Sequence, residues 1–452
     1  ELPPQVCNLA DVGGALPTRS PSTADVVLVD PENGRLVVHA DVVIGPEPVE
    51  VVVDLVHGWP GDVGAGPYDR NDRADRDERL GLAGAQTVRF QRGVARHPAV
   101  VGTETIVQTL EEAVVQWNAF IAGVPAADRP ATAGMVVVMD SRTHAAPTTE
   151  IALPDGSSLS IVAGSWPRTE VDGVLDRHTG VVDASRIRPH VLGDIAAAGQ
   201  AGAGAASAGG LVLDGLLIEG SVRIGAGDLE QVVARSCTIT GVPDAIGVAS
   251  DPGAANAQTA VVLDRSIVRS VRSEGPIARV AMLDSFVGDG DTAVDAPGAD
   301  LDASESTLYG GVRCQVLVAQ NCVFDEGTGD PSSYRITQTQ EGCVRFSHVP
   351  AGASTPRRYR CQPDLAVEAI TDPTERTRVI RSIHPTLDFD LADAGFGLLG
   401  ATSSPALRTA GSGGLEPGVW HHLQHARRLA NLGIALDQDL RFGLDTGLVL
   451  DR

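Results

Sequence analysis

Between residues 211 and 324 one short pattern of apolar and polar positions restarts repeatedly. An aliphatic residue is followed by a charged or polar pair, a small or thiol side chain, and two apolar or β-branched residues. The frame reads Leu213-Asp-Gly-Leu-Leu-Ile218, Ala234-Arg-Ser-Cys-Thr-Ile239 and Leu263-Asp-Arg-Ser-Ile-Val268, then Met282-Leu-Asp-Ser-Phe-Val287, Ala303-Ser-Glu-Ser-Thr-Leu308 and Ala319-Gln-Asn-Cys-Val-Phe324. With Leu216, Cys237, Ser266, Ser285, Ser306 and Cys322 equivalent, the intervals are 21, 29, 19, 21 and 16 residues. Such intervals fit one coil of a parallel β-helix with loops of variable length at one corner. A single coil cannot bury its apolar face, whereas stacked coils share one core. Ile218, Ile239, Val268, Val287, Leu308 and Phe324 would then form an inward ladder, with Asp214, Arg235, Asp264, Asp284 and Glu305 pointing out. A leucine-rich repeat would keep a stricter Leu-x-x-Leu-x-Leu frame, and a β-sandwich would not restart the same frame. The expected fold is mostly β, a right-handed parallel β-helix from about residue 130 to 346.

The stretch before the repeat changes period twice. Residues 1–100 read as a small β-rich unit: an apolar run Asp25 to Val29, a hairpin signal at Asn33-Gly34, a return over Leu36 to Val38, and a β-branched strand at Val49 to Val56. A glycine loop follows from Gly58 to Asp69, and Arg70 to Arg79 alternates in sign as a solvated stretch does. From Thr105 the period becomes helical, with Ile106, Leu110, Ala113, Val114, Trp117, Phe120 and Ile121 on one face. Thr105 with Gln108 offers a capping box, and Gly123 with Pro125 ends the helix. Strands are expected at Met135 to Asp140 and Leu159 to Ala163, with a turn at Pro154-Asp-Gly156. An amphipathic helix placed there would cover the open end of the core. Gly199 to Gly210 is low in complexity and reads as a flexible loop in an early coil. The expected organisation is thus 1–100, then cap and β-helix over 101–346, then a C-terminal docking segment over 347–452 with one or two helices.

Composition narrows the function. Hydrophobic residues make up 43% and charged residues 21%, enough for a real core. Aromatics are only 4% beside 51 Gly and 28 Pro, which suits short strands and tight corners better than a large helical enzyme. A formal charge of −23 argues against general nucleic-acid binding and against an anionic membrane surface. All 35 basic residues are arginine, so a P-loop, a pyridoxal Schiff base and a Ser-x-x-Lys hydrolase are excluded. No apolar run approaches eighteen residues, so no membrane insertion is expected, and the N-terminus lacks a charged-then-apolar signal. The start at Glu1 is read as a processed or trimmed end. The six cysteines form no Cys-x-x-Cys. Cys314 and Cys322, expected to stack on adjacent coils, read as buried thiols, while Cys343 and Cys361 are open to either pairing or free thiols.

Candidate chemistry is sparse. His421 and His425 stand at i, i+4 without a third ligand at metalloprotease spacing, so packing is the preferred role. Asp289-Gly-Asp-Thr-Ala-Val-Asp295 resembles part of a calcium loop but lacks the glycine and closing Glu of an EF-hand, which favours a corner turn. No metal and no cofactor is called for. The enzymatic alternative rests on Asp264, Arg265, Asp284 and Glu305 as an outward row on consecutive coils, where a pair of carboxylates about 5–9 Å apart could hydrolyse a glycoside. Coils stack at about 4.8 Å, so that nearness is automatic. The coils also hold only Phe286, Tyr309 and Phe324, and no Trp, for stacking on sugar. Arg357 to Arg360 and Arg376 to Arg381 read as partners for the chain's own carboxylates or for an acidic neighbouring subunit.

Several stretches carry a family resemblance. Glu341-Gly-Cys-Val-Arg-Phe-Ser-His-Val-Pro350, Thr355 to Pro363, Gly418 to Leu432 and Arg441-Phe-Gly-Leu-Asp-Thr-Gly447 resemble the C-terminal signature of β-helix proteins encoded beside tail and baseplate genes of phages and contractile injection systems. The loop ending Gly66-Pro-Tyr-Asp-Arg70 and the cap helix with its strand are similar to the same family. The chain departs from it at Gly199 to Gly210 and in His421-His422-Leu-Gln-His425. The resemblance implies a non-catalytic structural or receptor-facing component, assembled in the cytoplasm into a tail-like particle that can be released outside the cell. Its partners would be other tail or baseplate subunits, a surface glycan, or further copies of itself, a trimer by analogy with tailspikes. The alternatives are a tailspike-like polysaccharide hydrolase or lyase, and a glycan-binding adhesin without turnover.

Overall fold

The computed structural model of the chain describes residues 4–6, 27–30, 35–37, 61–71, 80, 87–96, 105–166, 168–171, 174–177, 182–185, 187–200, 209–249, 256–329, 331–387, 389, 396–400 and 402–440. Two units divide between His57 and Gly58. In the first, Pro4–Val6 runs parallel to Val27–Asp30, which pairs antiparallel with Arg35–Val37. Asp30 lies opposite Arg35, so residues 31–34 connect the two strands and the register centres one residue before Asn33-Gly34; those four residues and Val49 to Val56 lie outside the described residues.

The second unit is a parallel β-solenoid-like stack. Each coil gives one strand to a first face and two shorter strands to a second and a third. In one coil these are Gly209–Asp214, Leu217–Glu219 and Val222–Ile224, after which Leu229–Arg235 begins the next. Among the described residues the first faces make a 12-stranded sheet and the other two a 14-stranded one. The first sheet starts before residue 100, at Thr87–Val94, and ends at Arg358–Tyr359, beyond residue 346. Its register matches the sequence frame: Leu213, Ala234, Leu263, Met282, Ala303 and Ala319 pair in turn. The ladder from Ile218 through Ile239, Val268, Val287 and Leu308 to Phe324 pairs the same way, and every member is buried in one continuous core.

One corner is invariant from coil to coil. Between the first and second faces lies a residue pair whose first member is left-handed: Gly215, Ser236, Arg265, Asp284, Glu305, Asn321, Phe346 and Arg360, with φ between 46 and 76°. The second member points into the core and, after Leu216, is always Ser or Cys, down to Ser347 and Cys361. A small hydroxyl or thiol there turns back to the carbonyl two residues earlier, as Ser285 does to Leu283 at 2.9 Å. Its oxygen also accepts a backbone N–H from the coil before: Ser266 N to Ser285 Oγ at 3.1 Å, and Ser285 N to Ser306 Oγ at 3.2 Å. The sharp turn strips these amides of a sheet partner, and the side-chain column supplies one. Ser285→Ala is therefore expected to cost about 1–3 kcal/mol, the penalty of a buried orphan donor. Ser285→Cys, which the column already uses in other coils, should cost less; equal losses in urea unfolding would refute the role of the hydroxyl. Length variation enters at both other corners, as between Ile239 and Ile246 and between Val248 and Ala260, and not at one corner only.

The N-terminal end is capped by the helix Leu110–Gly123. Its start falls later than the Thr105/Gln108 box because Ile106–Val107 is drawn into the sheet as a strand. The cap is Thr109, whose hydroxyl accepts from Glu112 N at 3.2 Å, while Glu112 returns to Gln108 N at 3.0 Å. The low-complexity segment joins Ile195–Gln200 to Gly209–Asp214, and residues 201–208 lie outside the described residues. Beyond the coils come short helices, the longest being Pro373–Ser382 and His425–Asp439. Among the described residues no helix is long and apolar enough to cross a membrane.

Candidate functional site

The outward row of acids divides into two columns. Asp264 is in register with Asp214 and Arg235 at the strand ends, whereas Asp284 and Glu305 share the left-handed corner position with Arg265. The equivalents of Asp264 in the next two coils are Leu283 and Ser304. The single face expected to carry Asp264, Asp284 and Glu305 side by side is therefore not formed.

Nor is that corner open. Two segments of the same chain lie across it. Residues 61–71 cover the earlier coils: Gly64 N donates to Arg265 O at 2.7 Å, and Ala65 N to Thr238 Oγ1 at 2.9 Å. Arg70 reaches Asp214 at 2.5 Å and Ala163 O at 2.7 Å, with both charged side chains about fully buried. Residues 396–400 and 402–423 cover the later coils: Val419 N donates to Thr307 Oγ1 at 3.0 Å, and Gly418 N to Asn321 O at 2.7 Å. His422 Nδ1 stands 3.3 Å from Asp284. The straps share an apolar seam with the coils, formed by Val63, Ile267, Phe286, Phe396, Val419, Trp420 and Leu423. Asp264 and Asp284 are each 1% exposed in consequence, and Arg235 stands 3.3 Å from Asp264. Arg265 and Glu305 are half-buried. The coil aromatics are committed as well: Phe324 is inside, Phe286 packs on Phe396, and Tyr309 stacks on Phe389 at 3.9 Å.

The other candidates resolve into structure. His421 is buried with Nδ1 2.8 Å from Glu416 O, and His425 begins the following helix, so the pair does not converge. In the run Asp289 to Asp295, Asp289 accepts from Asp291 N at 3.0 Å and from Arg269 at 3.0 Å. These donors outweigh its partial burial and hold its carboxyl below the usual range. Asp295 lies between Arg272 and Arg313, and the run is part of the strand Phe286–Asp295, whose register shifts between Gly288 and Val294 as it passes from the second face to the third, so it is a bulged strand and not a separate corner loop. Cys237, Cys314, Cys322, Cys343 and Cys361 are free thiols. Cys322 belongs to the corner column while Cys314 ends a third-face strand, so the two do not stack on each other. Burial pushes Cys237, Cys314 and Cys322 up to about 12, which makes them inert packing groups. Arg358 pairs with Asp364 at 3.2 Å and Arg378 with Glu375, whereas Arg345, Arg357, Arg360, Arg376 and Arg381 are exposed.

Two features escaped the sequence reading. His348, in the last turns of the stack, is 2% exposed with Nδ1 2.7 Å from Phe324 O. Burial, with His384 and Arg358 adding repulsion, pushes its imidazole down to about 4 against an ordinary 6.5. Between those values the unfolded chain binds the extra proton, so stability is intact above pH 6.5 and falls as pH drops toward 4. The loss should total about 3 kcal/mol. Urea titrations across that window should show the slope and lose it in His348→Gln; an unchanged slope would exclude His348 as its source. The second feature is a cluster of Asp325, Glu326 and His384, whose ligand atoms lie within 4.8 Å of one another. Only the fold brings His384 to the acidic pair, so no local motif announces it.

Compared with known proteins, the chain matches no family model, no curated protein and no solved structure.

Proposed function

We propose that the chain is a non-catalytic structural component of a phage-tail-like or contractile injection particle, with its coils wound right-handed. The observation that carries this reading is the covered corner. The row that would have served as a sugar-cleaving face is overlaid by the chain's own straps, with Asp264 and Asp284 almost wholly buried. The right-handed winding rests on the strong general preference of parallel crossover connections. The tail association rests on the resemblance at 341–363 and 418–447. Partners would be neighbouring tail or baseplate subunits. The exposed arginines of the last coils and the following helix, in a chain of net charge −23, suit an acidic one. Assembly would take place in the cytoplasm, with exposure outside the cell on release of the particle.

The test has two arms. The full chain should cosediment with tail-like particles from the producing cells and dissociate as salt is raised. It should also leave a broad panel of bacterial surface polysaccharides intact. Absence from the particle fraction overturns the assembly reading, and depolymerisation by the purified chain overturns the non-catalytic one.

A further inference from the structure

The strand Val323–Asp325 lies on the second face with Asp325 at its end, and Glu326 opens the loop that follows it. Asp325 is 4% exposed and accepts a hydrogen bond from Gly327 N at 3.0 Å. His384 comes to this loop from a segment after the helix Pro373–Ser382, far along the chain. We propose that Asp325, Glu326 and His384 bind one divalent first-row transition ion, with Zn²⁺ the best fit, and that the ion pins the segment after that helix to the late coils.

Three observations converge. The ligand atoms of the trio lie within 4.8 Å of one another, and the exposed His384 and half-buried Glu326 can rotate to reach an ion at about 2.0–2.2 Å. His384 Nδ1 sits 2.7 Å from Pro385 O, an acceptor only, so Nδ1 is the donor there and Nε2 is the nitrogen left to face an ion. That is the usual outer-shell arrangement of a ligating histidine. The trio also lacks the cation that buried acids have elsewhere in the chain: Arg70 serves Asp214 and Arg235 serves Asp264, while among the described residues no arginine pairs with Asp325 or Glu326. The hydroxyl of Tyr334, a residue only 2% exposed, has no hydrogen-bond partner among the described residues and lies in the field of both carboxylates. Such a buried donor is the kind of group an ion-bound water would satisfy. One imidazole with two carboxylates suits Zn²⁺ or Mn²⁺, while three protein ligands are few for Ca²⁺, which takes about 6–8 oxygens.

The test is calorimetric titration of the chelator-stripped full chain with ZnCl₂, MnCl₂, CaCl₂ and MgCl₂. Proteolysis of the segment around residues 373–387 is followed in parallel. One saturable Zn²⁺ per chain is expected, with protection of that segment. Because loss of an outer-shell partner alone weakens binding by about 10–100-fold, His384→Ala should weaken it by more than about 100-fold. Should His384→Ala loosen the segment by itself, Glu326→Gln removes a ligand charge at constant shape and should also abolish tight binding. His425→Ala, away from the site, should bind as the parent does. Absence of saturable Zn²⁺ or Mn²⁺ binding would overturn the proposal. So would binding that survives both substitutions, or Ca²⁺ and Mg²⁺ binding equal to that of Zn²⁺.

Discussion

Arg70→Ala is expected to destabilise the solenoid unit by about 3–5 kcal/mol, because it strands a carboxylate where water cannot reach it. Asp214 is 0% exposed, and Arg70 is both its counter-ion, at 2.5 Å, and the donor to Ala163 O. Removing the guanidinium leaves the desolvation of Asp214 in place without the compensating charge. The fold has also made room for this one side chain. A Cβ on Gly215 would come within 1.8 Å of Arg70 Nη1, and the corner takes a φ of +76° there, a conformation that costs glycine nothing. Urea unfolding should show a lower midpoint, and limited proteolysis should cut between residues 61 and 71. A double change, Arg70→Met with Asp214→Leu, should recover most of the loss, since an apolar pair of similar size carries no desolvation penalty. A loss below about 1 kcal/mol in Arg70→Ala would mean that the pair is screened as a surface bridge is, and that the strap adheres by other contacts.

The second large effect is at the capped N-terminal end of the same core. Trp117→Ala should cost about 3–5 kcal/mol, the range for deleting a buried aromatic side chain. Trp117 is fully buried on the cap helix, packs edge-on against Phe90 with ring centroids 5.6 Å apart, and donates from Nε1 to Ala152 O at 2.9 Å. Gly134, on the strand beneath, leaves the space that the indole fills: a Cβ there would lie 2.5 Å from the ring. Without the indole the first coil would expose apolar side chains such as Leu159 and a parallel strand end. Increased binding of a hydrophobic dye at temperatures below the melting transition should accompany the loss. Trp117→Phe should keep more of the stability while losing the hydrogen bond; if it matches Trp117→Ala, packing is not the main contribution.

Much of the solenoid was legible because its stabilising units are short and repeated. Each coil restates an aliphatic residue, a turn pair and a second apolar pair, so the equivalence of Leu216, Cys237 and Ser266 could be read directly and matches the observed register. The outward assignments were less secure because a left-handed residue at the corner breaks strand alternation. The strand end and the corner position then carry polar residues side by side, and Asp264, two places before Ser266, and Asp284, one place before Ser285, fall in different columns. The straps could not be read at all. The loop at Gly64 touches Arg265 and the turn at Gly418 touches Asn321, contacts that no local period announces. Asp325 and His384 meet for the same kind of reason, and the burial of His348 comes from Phe324 and the backbone at Ile383, both distant from it in the sequence.

The invariant corner has a practical consequence for engineering. Strand phase is re-set there once per coil, so a peptide grafted at either of the other two corners need not disturb the coils above and below. The chain already carries one such addition: residues 201–208 connect the third-face strand Ile195–Gln200 to the first-face strand Gly209–Asp214. The hairpin of Arg168–Val171 and Val174–Arg177, by contrast, interrupts the first-to-second-face corner of an earlier coil, before the turn pair begins at Gly215. Epitope tags, cross-linking handles or display cargo belong at the two corners where length already varies. The Ser and Cys column should be left untouched in any such graft.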